Sequence, residues 1–177
     1  KLLSDLLEKK VNLNISNTDF VEVKQIENQI AGPQNLVVGV YTPLKSNVSG
    51  NIVIMFNKES AKSLASAITA APEEEDIITD DDKKILKKIG TTLSGSYVES
   101  LNKFLDLDLM YDRTNIISTF GESIIDIIML NVDPKASDAL LIETEFNVEN
   151  TSIKGKFIIL LAVKSVDVLI DAIRNKM

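Results

Sequence analysis

The chain has 177 residues, 45% of them hydrophobic, with a formal charge of −7 and neither cysteine nor histidine. That length and apolar content can bury a sizeable core, as one domain or two fused half-domains. The missing residue types exclude disulfides, cysteine zinc sites, thiolate nucleophiles and Ser-His-Asp triads. Lysines interspersed with a larger number of acids argue against nucleic acid or an anionic membrane surface as partner. No apolar run approaches the roughly eighteen residues that span a bilayer, and no glycine-rich nucleotide motif occurs. The composition fits a soluble, cytoplasmic protein with no cofactor of its own.

The chain opens in a helical pattern, KLLSDLLEKK, with Leu3, Leu6 and Leu7 on one side through about Lys9. It has neither an initiator methionine nor a signal-peptide architecture at Lys1, so a preceding segment is expected. VNLNI at 11–15 alternates, which predicts a strand with Val11, Leu13 and Ile15 inward. Phe20 to Ile30 fits a short helix with Val23, Ile26 and Ile30 on one side, broken by AGPQN at 31–35. LVVGVYTPL and NIVIMF then read as adjacent strands joined by KSNVSG, followed by a helix from Ser60 to Ala70 through Ala61, Leu64, Ala65 and Ile68. The acidic run EEEDIITDDD reads as a solvated linker or, less simply, an acidic patch.

Asp80 to Asp108 is predicted as one long helix around which the rest is arranged. Leu86, Ile89, Leu93, Tyr97, Leu101 and Phe104 recur at steps of three or four and form an apolar stripe that should face a core. Thr79 supplies an N-cap, and Asp80, Asp81 and Asp82 sit against the positive end of the helix dipole. Gly90 and Gly95, beside Ser94 and Ser96, fit either a close backbone approach or a kinked core helix. A further helix around Asn115 to Met129 carries Phe120, Ser123, Ile124 and Ile127, which suit either a small partner surface or core packing. FIILLAV at 157–163 has the length of a buried strand.

The second half repeats the order of the first. Gly50-Asn-Ile-Val-Ile-Met-Phe aligns with Gly155-Lys-Phe-Ile-Ile-Leu-Leu and continues without a gap through Ser60/Ser165, Leu64/Leu169 and Ile68/Ile173. Upstream, at a slightly different offset, Leu3/Leu101, Leu6/Phe104, Leu7/Leu105 and Val11/Leu109 match. Each unit of such a repeat buries the apolar face that the other leaves uncovered. The expected fold is therefore α+β, a duplicated pseudo-twofold unit with an antiparallel or mixed sheet of about six strands and two long helices packed together. The expected organisation is a single domain over 1–177 made of repeats at about 1–72 and 79–177.

The segment KKIGTTLSGSYVESLNKFLDLDL, with Gly95, Ser96 and Tyr97 as its GSY, resembles the second signature helix of the CheC-type chemotaxis phosphatases. The duplicated plan extends the likeness over the whole chain, and the CheX proteins and the middle domain of flagellar switch proteins share that fold. The resemblance implies an Asp or Ser, Glu and Asn at i, i+4 and i+7, followed by twenty-two residues and then a Pro. In the family the Asn orients a water towards the phospho-aspartate of a CheY-like response regulator. The Glu engages a lysine of that partner, which also supplies the Mg²⁺. A CheD-type deamidase is the other implied partner, through Phe120, Ser123, Ile124 and Ile127.

This sequence has Lys84, Lys88, Thr91 and Thr114 at the four positions. Thr91 lacks the paired donor and acceptor of an amide, and Lys88 opposes the partner's lysine with like charge. The resemblance therefore implies an inactive second site. A shifted reading through Glu99 and Asn102 puts Gly95 and Ile125 at the outer positions and fails as well. In the first half the proline position falls on Ser16, and the Glu and Asn positions fall upstream of Lys1. Two functions follow: a response-regulator phosphatase working through its first site, or a non-catalytic binding module of the chemotaxis or flagellar switch apparatus.

Overall fold

The computed structural model describes residues 11–23, 25–26, 32, 34–70, 77–130, 138–148 and 151–175. Its strands are β1 (Val11–Glu22), β2 (Leu36–Leu44), β3 (Gly50–Asn57), β4 (Asn115–Phe120), β5 (Asp138–Val148) and β6 (Thr151–Leu161). The helices among the described residues are α1 (Lys58–Thr69), α2 (Asp80–Leu105), α3 (Gly121–Met129) and α4 (Val163–Arg174). All strand pairs are antiparallel, in the order β1-β5-β6-β3-β2-β4. Replacing β1, β2 and β3 by β4, β5 and β6, and the reverse, returns this order read backwards, as a pseudo-twofold requires. The separations Lys58 to Val163 and Thr69 to Arg174 equal that of Gly50 to Gly155, so α1 and α4 occupy equivalent places.

Apolar side chains leave both faces of the central strands, which is why β2, β3 and β6 read as nearly continuous apolar runs. Val38, Val40, Ile52, Ile54, Phe56 and Phe157 join Ala61, Leu64, Leu86 and Ile89 in one cluster under α1 and α2. Val37, Val53, Met55, Ile158 and Leu160 join Ile124, Ile125 and Ile128 of α3 in a second cluster on the opposite face. Gly155 makes room in the first: an added Cβ would lie 2.6 Å from Phe56 and 2.9 Å from Phe146, whose rings pack at 5.3 Å.

The edges depart from the pattern. β1 runs on through Glu22, so Phe20, Val21 and Glu22 extend a strand paired with Leu140, Ala139 and Asp138 and do not open a helix. Ile15 is 61% exposed, not inward, and the ladder slips between Ile15 and Asn17. A bulge of this kind turns the alternation over, and an edge strand tolerates it. Ile26 is fully buried as expected. The expected helix at 1–9 with Leu3, Leu6 and Leu7, its packing against the long helix, residues 27–30 and the acidic run at 73–76 lie outside the described residues.

α2 begins where the sequence marks it. Thr79 Oγ1 accepts from the Asp82 amide at 3.1 Å, and the Thr79 amide donates to Asp82 Oδ2 at 2.9 Å, a reciprocal capping box. It ends at Leu105, earlier than expected, where Asp106 turns left-handed with φ 56°. Leu86 and Ile89 are buried, and Leu93, Tyr97 and Leu101 are half-buried against the core. Phe104 is 67% exposed, against expectation, because Leu105, roughly 100° further round the helix, takes the buried place. The two glycines admit side chains, not a backbone. A Cβ at Gly90 would lie 2.3 Å from Val40 Cγ1, and one at Gly95 would lie 3.0 Å from the Tyr111 hydroxyl.

Tyr97 packs on Phe157 at 4.8 Å, and burial raises its phenol pKa above the ordinary value of 10.0. The unfolded chain therefore releases this proton first. Tyr97 stabilises fully below pH 10, and that contribution is lost as pH rises towards the folded value. Tyr97→Phe should keep the denaturant midpoint at neutral pH and decline less than the parent above pH 10. Parallel alkaline slopes would contradict this.

Candidate functional site

α2 turns Lys84, Lys88 and Thr91 to solvent on one side, as their i, i+4, i+7 spacing demands. Lys84 Nζ lies 2.8 Å from Asp81 Oδ1, an i,i+3 pair on the first turns. The hydrogen bond from Lys84 holds the Asp81 carboxyl below its ordinary range and raises the lysine in return. Both groups are fully exposed, so the pair orients the lysine more than it stabilises the fold. Thr91 Oγ1 donates to the Lys87 carbonyl at 2.8 Å, and Thr92 Oγ1 donates to the Lys88 carbonyl at 3.1 Å. Such back-bonds occupy the hydroxyl protons, so Thr91 retains only acceptor capacity.

Thr114 does not join that face. It is 4% exposed, and its hydroxyl pairs with that of Thr42 on β2 at 2.9 Å. Its methyl lies 3.7 Å from a Cβ placed on Gly90, which locates the pair beneath α2. The structure thus brings three of the four positions together and puts the fourth in the core. Their combined chemistry is two ammonium groups and one acceptor hydroxyl, with no carboxylate to abstract a proton and no amide to hold a water at two points. Among the described residues no group of three or more Asp or Glu side chains is placed to hold a metal ion.

The shifted Glu99/Asn102 reading has a structural explanation. Glu99 is exposed, while Asn102 is engaged at both ends of its amide. The Leu109 amide donates to Asn102 Oδ1 at 2.7 Å, and Asn102 Nδ2 donates to the Leu109 carbonyl at 3.0 Å. This bracket fastens the turn after α2, and Ile125 at the outer position is core.

The segment expected as a helix from Asn115 is a strand up to Phe120, paired with β2, and becomes helical at Gly121. Phe120 is 52% exposed, and Ser123 and Ile127 are half-buried. Ile124 is fully buried and packs on Gly39, where a Cβ would come within 2.7 Å of it, so it offers nothing to a partner. Sequence reasoning passed over Thr42, Tyr111 and the ion pair between Lys45 and Asp112. That pair ties the start of the β2–β3 turn to the chain after α2 and holds the Asp112 carboxyl below its ordinary range. Only tertiary pairing reveals these contacts.

No family model matches the chain. It is 20% identical over 156 residues to "Putative CheY-P phosphatase CheC1" of Halobacterium salinarum, covering 87% of this chain and 77% of that protein. It superposes on FliY of Thermotoga maritima with a TM-score of 0.78 at 14% identity, over 99% of this chain and 88% of FliY. A chain of the CheX–CheY–BeF3–Mg²⁺ complex of Borrelia burgdorferi superposes with a TM-score of 0.53 at 20% identity, over 90% of each. The fold is the FliY/CheX fold, and the sequence match and the fold together support the CheC/CheX/FliY-type chemotaxis family.

Proposed function

We propose that this protein is a chemotaxis protein of the CheC type that binds a phosphorylated CheY-like response regulator. The observation that carries the reading is a sequence match over 87% of the chain to a protein named as a CheY-P phosphatase. The CheX–CheY–BeF3–Mg²⁺ complex supports the same partner class and a Mg²⁺ that arrives with the receiver. Hydrolysis is not carried by α2, because Lys84, Lys88 and Thr91 supply neither the acid nor the amide. A non-catalytic binding module is the second reading, and the hydroxyl back-bond of Thr91 and the Lys84–Asp81 pair favour it for the α2 face.

Titration calorimetry with a CheY-like receiver tests the proposal. Binding should be at least tenfold tighter when the receiver carries BeF3 and Mg²⁺ than when it carries Mg²⁺ alone. Equal affinities would overturn it. No helix among the described residues is long and apolar enough to cross a membrane.

A further inference from the structure

Lys62 is a charged side chain in an apolar place. It lies on α1 among Ala61, Leu64 and Ala65 and is only 9% exposed. Its Nζ donates to the Ile77 carbonyl at 2.8 Å, 15 positions along the chain. Burying an ammonium is costly unless its donors find acceptors, so this hydrogen bond offsets part of the cost of the charge. Ile77 depends on it as well. Its own side chain is 61% exposed, so burial does not fix it, whereas Ile78 next to it packs on the core and Thr79 caps α2. At the other end of the junction, Ala70 closes α1 in the left-handed region at φ 56°, which a residue with a Cβ holds only where its surroundings impose it.

The repeat does not require this lysine. The offset that lays α4 over α1 puts Asp167 at the place of Lys62, and Asp167 is exposed. α2 packs against α1 and meets α4 at its C-terminal end, around Leu105. What sets Lys62 apart from Asp167 is therefore its bond to the chain that leads into α2. About the first three turns of α2 carry Lys84, Lys88 and Thr91. A shift in where a helix begins, or at what angle, is passed on to every side chain it carries. We infer that Lys62 is a positioning residue for the face of Lys84, Lys88 and Thr91: its ammonium holds the Ile77 carbonyl and so sets where and at what angle α2 begins. The role holds whichever partner meets that face.

Spin labels on the full chain test this. The chain has no cysteine, so labels placed by Lys87→Cys and Lys164→Cys, both at exposed positions, report on α2 against α4 alone. Lys62→Met keeps the aliphatic stem and loses the ammonium. It should widen the distance distribution at least about twofold and raise exchange of the Asp82 and Lys83 amides, which bond to Thr79, at least about tenfold. Amides of α4 should stay unchanged. Lys62→Arg keeps a donor at that place and should retain the narrow distribution. An unchanged distribution in Lys62→Met would overturn the inference. So would equal widening in Lys62→Arg, or faster exchange confined to α1, either of which would make Lys62 a packing residue. Should Lys62→Met fail to fold, NMR of the parent decides: the Lys62 ammonium protons should exchange slowly and show coupling through the hydrogen bond to the Ile77 carbonyl carbon. Ammonium protons that exchange as fast as those of the exposed Lys164 would overturn the contact and the role with it.

Discussion

Gly50→Ala should destabilise the protein by at least about 3 kcal/mol, which is about 6–12 °C in melting temperature for a chain of this size. Gly50 opens β3 opposite Leu161 of β6, and a Cβ there would sit 2.1 Å from the Leu160 carbonyl oxygen and 3.0 Å from Leu161 Cα. Both neighbours are backbone of the central strand β6, at the pair that begins the β3–β6 ladder, so neither can swing aside as a side chain could. Gly95→Ala provides the contrast. Its Cβ would meet the Tyr111 hydroxyl at 3.0 Å, and Tyr111 is 43% exposed, so the phenol can yield. Ala gains about 1 kcal/mol over Gly in a helix interior, so Gly95→Ala should be neutral or stabilising. Thermal unfolding of the two variants gives the test, and a Gly50→Ala loss below about 1 °C would mean that β3 and β6 do not approach as closely as described.

The same glycines show which parts of the fold the sequence carries. β2 and β3 were legible because both faces of these strands are covered, and continuous apolar runs bounded by Gly and Pro leave little else to read. The repeat was legible because α1 and α4 follow their strands at one spacing, so a single alignment recovers both. β1 was only half legible. Its stretch NISNTD is polar, and its strand character comes from pairing with β5, which no local pattern records. Phe104 was misplaced because a stripe counted in threes and fours does not say where the helix stops, and Leu105 took the buried place next to it. At the candidate site the helical face of Lys84, Lys88 and Thr91 followed from spacing alone. The burial of Thr114 did not, because its partner Thr42 is 72 positions away. Nor did the engagement of Asn102, whose amide reads as available in the sequence and is used up in the structure.

Replacing Lys84, Lys88 and Thr91 together by Asp, Glu and Asn should give α2 phosphatase activity towards a phosphorylated CheY-like receiver. The motive is the resemblance of the α2 segment to the family helix, together with the exposure of all three positions on one side, away from the buried Leu86 and Ile89. Lys84→Asp removes an exposed ion pair with Asp81, which costs little, although it adds a carboxylate next to Asp80 and Asp81. Lys88→Glu should act mainly on affinity, by turning repulsion of a partner lysine into attraction. Thr91→Asn should act mainly on the chemical step, since it frees the Lys87 carbonyl and supplies a donor and an acceptor that can hold a water in line. Thr114→Pro should be left out of the set. It would strip the Thr42 hydroxyl of its partner in the core and cost about 1–3 kcal/mol. The readout is phosphate released from the phosphorylated receiver above its own hydrolysis, with the Lys84→Asp and Lys88→Glu double variant as control. That control should bind more tightly than the parent without accelerating release, and the triple variant should accelerate it at least tenfold. A triple variant that folds, binds the receiver and releases no more phosphate than the control would show that the helix no longer approaches the partner in the required register. The binding-module reading would then hold for this half of the molecule.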